Sequence, residues 1–344
     1  MSETTIRDIA KQCGVSISTV SRALNNHPDI NPATRKKVME VIRETGFVPN
    51  NSAINLKKSD ARSIALLVKG ITNQFFSSMI QIMEDYAQKR DYATILRHVE
   101  AHEDEVQVAL QLVKEKRLKG IVFLGGNFTH DESMLRQLNV PFVFSTVGTP
   151  NGTKTWYPNV SVDDRAEACK AVSYLIEQGH RRIAIITEGS EIPSVGQLRY
   201  EGYIDALKRH GIEPDRNLVM EVTEGIEHYS MQNGYLATRS LIQSGESFTG
   251  IFCVADVFAI GACRAVLEWG KRIPEDVSVV GYDGIDIGNY YNPKLTTIKQ
   301  PVEEMADATI LLLFDMIDKK RKPESIIMPA ELVIRESSGS GYRR

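Results

Sequence analysis

From Arg62 onward the chain repeats one pattern: a short β-branched, apolar run, then an amphipathic stretch long enough for a helix. Strands are expected at 63–68, 93–96, 120–124 and 141–144, and in a second series at 183–187, 218–222, 250–254 and 277–281. Helices are expected between them, at 76–89, 103–116, 165–178, 199–209, 229–243 and 259–269. Near-continuous apolar runs mark strands buried on both faces, which parallel sheets wrapped by helices provide. Two series predict two α/β lobes. The later run at 295–298, a helix at 301–318 and the run at 332–334 are expected to cross back between them.

The first sixty residues obey a different rule. Ile6, Ile9 and Ala10 fall on one helical stripe starting near Thr5, and Gly14 offers the positive φ of a tight turn. Ser16 is a good N-cap for a second helix, in which Val20, Ala23 and Leu24 cluster on one side. Ile17, Ser18, Ser21, Arg22 and Asn25 occupy the other. A third helix is marked by Asn31 as N-cap, Pro32 at its first position, the spacing of Val38, Val41 and Ile42, and Gly46 at its end. This is the pattern of a helix-turn-helix, one face packing and the other free to enter a groove. A small helical cap without a nucleic-acid role would share the pattern. Charge favours the DNA reader: residues 1–60 carry net +3, leaving −6 on the rest of a chain whose total is −3.

The residues of this head, from Thr5 to Leu24, with Asn31-Pro32-Ala33-Thr34-Arg35 and Gly46-Phe47-Val48-Pro49-Asn50, closely resemble the start of the LacI/GalR family of bacterial transcriptional regulators. The resemblance implies a helix-turn-helix head at 1–48, a hinge helix or linker at 49–61 and a core at 62–340 like a periplasmic sugar-binding protein. Its first lobe would span about 62–162 and 294–327, its second about 163–293 and 328–340. It further implies a homodimer, or a tetramer, on a pseudo-palindromic operator of double-stranded DNA. Arg22 would then suit a bidentate guanine contact, with Ile17 and Ser18 on neighbouring base edges. Thr5, Ser16, Thr19, Ser21 and Asn25 would position the backbone through phosphates. The hinge would place Asn50, Ala53 and Leu56 at the minor groove, Leu56 as an apolar wedge; on residue chemistry alone Leu56 packs equally well beneath the core.

Ligands of open α/β sheets gather at the C-terminal ends of strands. Asp283 and Asp256 follow two expected strands, the loop after 185–187 leads to Arg199, and 70–76 brings Asn73 and Phe75 to the matching place in the first lobe. Carboxylates, an arginine and aromatic faces suit a hydroxyl-rich ligand. Matching by motif adds Tyr229, and more weakly Ser145, Trp156 and Ser194. Asp256 and Asn73 serve as helix caps on equal terms, and Asp283 could fix its own turn. Ala255-Asp256 departs from the Asn-Asp of many members, which removes one hydroxyl contact. A small-molecule effector, most simply a sugar or sugar derivative, is therefore expected between the lobes. Control by a nucleobase or a protein corepressor, and a sugar-binding protein without a DNA role, are the alternatives.

An enzyme is not expected. GxGxxG after the first strand, GxxxxGK[ST] and GxSxG are all missing, and neither cofactor nor metal is implied. Cys13, Cys169, Cys253 and Cys263 are too scattered for a metal pair and too few for a disulfide scaffold. Without a signal-peptide pattern or a bilayer-length apolar run, a cytoplasmic protein with no membrane partner is expected.

Overall fold

A computed structural model describes residues 4–24, 27, 29–47, 62–100, 102–127, 129–149, 157–189, 193–222 and 228–338. The chain divides into two compact units, Met1–Ala61 and Arg62–Arg344. Asn25, Asn50, Ala53, Leu56 and Trp156 lie outside the described residues.

In the first unit, α1 (Ile6–Cys13), α2 (Ile17–Leu24) and α3 (Pro32–Thr45) enclose a small core of Ile9, Ala10, Cys13, Val20, Ala23 and Val38. Thr5 starts α1 with a reciprocal capping box: Asp8 N–H donates to its hydroxyl at 3.4 Å, and its own N–H donates to the Asp8 carboxylate at 2.9 Å. Gly14 ends the helix at φ +64°, which a side chain would resist, and the chain turns directly into α2.

The second unit holds two six-stranded sheets. The first is built from β1 (Ser63–Lys69), β2 (Ala93–Val99), β3 (Leu118–Leu124), β4 (Phe142–Ser145), β5 (Asn159–Val162) and β11 (Ser325–Met328). Its order is β11-β5-β4-β3-β1-β2, parallel throughout. The second comprises β6 (Ile183–Thr187), β7 (Val219–Glu221), β8 (Gly250–Cys253), β9 (Ser278–Asp283), β10 (Thr296–Lys299) and β12 (Glu331–Val333). Its order is β12-β10-β9-β8-β6-β7, with only β12 antiparallel. Around the sheets lie α4 (Phe75–Lys89), α5 (Glu105–Glu115), α6 (Glu132–Arg136), α7 (Asp164–Glu177), α8 (Val195–Arg209), α9 (Met231–Gln243), α10 (Asp256–Glu268) and α11 (Val302–Ile317).

One expected boundary needs correction. The return to the first lobe does not begin at 294, because β10 pairs with β9 in the second sheet, Ile298 opposite Tyr282. Burial of Thr296, Thr297 and Ile298 against that sheet fixes the strand there. The chain recrosses between β10 and α11, and α11 packs on α4, β3 and β4 of the first lobe. The next crossing follows Met328, which still pairs with Val162.

Candidate effector cleft and DNA-reading face

The two sheets present the C-terminal ends of their strands to one cavity of about 700 Å³. From the first lobe come Lys69 on β1, Asn73 and Phe75 at the start of α4, His98 to His102 after β2, Asn127 after β3 and Thr146 after β4. From the second come Glu188 after β6, Ser194 and Arg199 at the start of α8, His228 and Tyr229 before α9, Asp283 at the end of β9 and Gln300 after β10.

Arg199 organises the deepest part. It is 3% exposed, and its Nε donates to Asp164 at 2.8 Å while its Nη1 donates to the Val254 carbonyl at 2.6 Å and to Asp283 at 3.4 Å. The guanidinium also lies 3.7 Å from the centre of the Tyr282 ring. One cation thus serves two buried carboxylates, and the excess negative charge favours keeping a proton on the pair. Burial pushes Asp283 up to about 7 and raises Asp164 as well, with Arg199 opposing both. Asp283 also accepts from Gln300 at 3.0 Å and from Asn73 at 3.3 Å; the latter bond spans the two lobes. A second span is the backbone bridge between Asn127 and Ser194.

A second polar group centres on Glu188. It accepts from Ser194 Oγ, from the Gly196 N–H at 3.0 Å, and pairs with His228 Nε2 at 3.1 Å. Burial alone would raise its carboxyl; the bonds from His228 and Ser194 outweigh that and hold it below the usual range. Tyr229 stacks face to face on Phe258 at 5.3 Å, leaving an aromatic wall beside these acceptors. Lys69 is held at Glu105, 3.2 Å away, and at the Glu103 carbonyl.

Of the residues expected at the ligand, Asn73, Phe75, Ser194, Arg199, Tyr229 and Asp283 line the cavity. Ser145 does not: its hydroxyl shares a 2.8 Å hydrogen bond with Thr309 beneath the surface, and the neighbouring Thr146 faces the cavity instead. Asp256 does not either. It is fully buried and accepts from Gly284 N–H, Ile285 N–H and Thr297 Oγ1, at 2.8, 2.9 and 2.6 Å. Ala255 is also fully buried and heads α10 without a side-chain cap. Glu188, Lys69, Thr146, His228 and Gln300 line the cavity without having been expected there. Glu188 directly follows an expected strand, the same signal that marks Asp283.

On the first unit, α2 exposes Ile17, Ser18 and Arg22, while Thr19 and Ser21 are half-buried. Ile17 is 44% exposed, unusual for an isoleucine with packing partners so near. Ser16 accepts from the Thr19 N–H at 3.2 Å and so caps α2, and Thr5 spends its hydroxyl on Asp8. Among the described residues no His, Cys, Asp and Glu cluster suits a metal ion, and no helix is long and apolar enough to cross a membrane. The four cysteines are free and buried.

Residues 5–50 match the model of the bacterial regulatory proteins of the lacI family, and residues 172–338 match a periplasmic binding protein-like domain. The HTH-type transcriptional regulator MalR of Clostridium butyricum is 37% identical over 335 residues, covering 96% of this chain and 98% of its own. The HTH-type transcriptional repressor CytR of Escherichia coli K12 is 33% identical over 336 residues, covering 97% and 96%. A solved complex of the transcriptional regulator CelR with cellobiose superposes with a TM-score of 0.68 at 27% identity, covering 98% of this chain and all of that one. The chain belongs to the LacI family, whose members are DNA-binding transcriptional regulators that act as dimers on operator DNA and answer to small molecules, and it is not an enzyme.

Proposed function

We propose that this chain is a cytoplasmic repressor whose operator affinity is set by a hydroxyl-rich effector, a sugar or sugar derivative, held between the two lobes of its core. The carrying observation is the convergence of Asp283, Arg199, Asn73, Glu188 and the Tyr229 face at the strand ends of both sheets. Carboxylates and the amide accept from or donate to hydroxyls, and the ring packs on the C–H side of a pyranose. A ligand that touches both lobes favours the arrangement in which Asn73 meets Asp283 and Asn127 pairs with Ser194. That differential affinity is what lets it shift a population, and the coupling to DNA is then reciprocal. On the DNA side Arg22 reads guanine, Ile17 contacts a thymine methyl and Ser18 a neighbouring base edge, with Thr5, Ser16, Thr19, Ser21 and Asn25 at phosphates.

The test is an operator titration of the full chain by fluorescence anisotropy, on a site obtained by selection from random duplexes, with and without a panel of sugars and nucleosides. A sugar should change operator affinity at least tenfold in the wild type. In Asp283→Asn, which keeps shape and a hydrogen-bonding oxygen, the same sugar should change it less than twofold while ligand-free operator binding persists. Response to nucleosides alone, or only to an added protein, would replace the sugar.

A further inference from the structure

We infer that the cleft is built for a neutral effector of at least two sugar rings, one seated on the Asp283–Arg199–Asn73 group and the next against a separate outer subsite made by Glu100 and His102. The inference rests on the effector role proposed above and narrows it.

The first argument is length. In the first sheet the lining comes from the ends of β4, β3, β1 and β2, which are consecutive neighbours. Strands lie about 4.8 Å apart, so three spacings carry the floor across roughly 14 Å. The second sheet repeats this span from Gln300 after β10 to Glu188 after β6, again four neighbouring strands. A single pyranose on Asp283 leaves most of the 700 Å³ to water. Glu100 and His102 follow β2, the edge strand, and both are exposed at the cavity, whereas the Asp283 group is buried. The two ends therefore differ in chemistry: a closed inner cradle and an open polar rim.

The second argument is charge. A phosphorylated ligand needs cations free to pair with it. Arg199 is committed to Asp164 and Asp283, Lys69 to Glu105, and His228 to Glu188. Three carboxylates, Glu100, Glu188 and Asp283, line the cavity and would repel a phosphate. Neutral hydroxyls meet no such penalty, because each carboxylate accepts from them.

Isothermal titration of the full chain tests this with glucose, the α- and β-linked glucosyl-glucose disaccharides, galactosyl-glucose and the 6-phosphates of these sugars. At least one neutral disaccharide should bind tenfold or more tighter than its component monosaccharides, and its phosphate tenfold or more weaker than itself. Glu100→Ala and His102→Ala should each weaken that disaccharide about tenfold while monosaccharide affinity moves less than twofold. A monosaccharide binding as tightly as the best disaccharide, a phosphate binding more tightly, or rim variants that weaken both sugars equally would overturn the two-ring assignment and leave the effector role standing. Absence of binding by every sugar would overturn both.

Discussion

Replacing Arg199 by Met removes the one cation that two buried carboxylates share, and its cost can be worked from the contacts. The side chain is 3% exposed and makes charge-assisted bonds to Asp164 and Asp283, a 2.6 Å bond to the Val254 carbonyl and a stacked contact with Tyr282. Breaking a buried pair from one side strands the other charge, which costs about 3–5 kcal/mol. The cost must depend on pH. Burial raises Asp283 to about 7 from the ordinary 3.8, with Arg199 opposing, and raises Asp164 in the same direction. A carboxyl raised in the folded state binds more protons there than in the unfolded chain, so its contribution to stability falls as pH climbs from about 4 through the folded value. Without Arg199 both carboxyls rise further. The deficit should therefore reach its full size near pH 8 and shrink to about 1–2 kcal/mol near pH 5, where both side chains are neutral in the native state. Both tryptophans of the chain, Trp156 and Trp269, belong to the second unit, so urea unfolding followed by tryptophan fluorescence reports on this core alone. Arg199→Lys should fall between, since an ammonium keeps the charge and loses the fork. A deficit below about 1 kcal/mol, or one equal at pH 5 and pH 8, would refute the shared-cation argument.

Two further outcomes are expected. Arg22→Ala should cost about 1–3 kcal/mol on the selected operator and relax one base position, as measured by anisotropy across single-base variants; equal losses on random DNA would show a phosphate contact instead. Gly261→Ala should destabilise the second unit by about 1–3 kcal/mol, because a Cβ there would meet the Met231 carbonyl and lie 2.6 Å from Tyr235 N where α9 crosses α10. An unchanged melting temperature by tryptophan fluorescence would mean that the crossing relaxes freely.

Hydropathy made the buried sheets legible because most of their strands are continuous apolar runs. It failed where the interior is polar. β5 reads Asn-Val-Ser-Val, yet Asn159 and Ser161 are buried, and the Asn159 amide donates to the Val147 carbonyl at 2.8 Å. β10 likewise carries two buried threonines, one accepting from Arg335 N–H and the other donating to Asp256. Its assignment to the second sheet follows from those partners, which no local pattern encodes. Missing that assignment hid Gln300, which reaches Asp283 only because β10 lies beside β9. Ser145 and Thr146 show the complementary failure. Successive side chains of a strand point to opposite faces, so a one-residue error exchanges a cavity residue for one packed against α11.

Asp256 shows why position at a strand end does not by itself make a ligand. Its side chain points away from the cavity into the turn after β9, where two backbone N–H groups and the Thr297 hydroxyl occupy its oxygens. Burial pushes its carboxyl up to about 6, and those three donors pull it back toward the charged form. The turn needs such an anchor because Asp283, a residue with a side chain, sits at φ +124°. Backbone in that region costs of the order of 1–3 kcal/mol and persists only when its surroundings hold it. Asp256 fastens the next two residues, Gly284 and Ile285, while Gln300, Asn73 and Arg199 fasten the Asp283 carboxylate itself. The acid that faces the ligand is thus aimed by an acid that never meets it, and the strain stored at Asp283 places its oxygens at the junction of the two lobes.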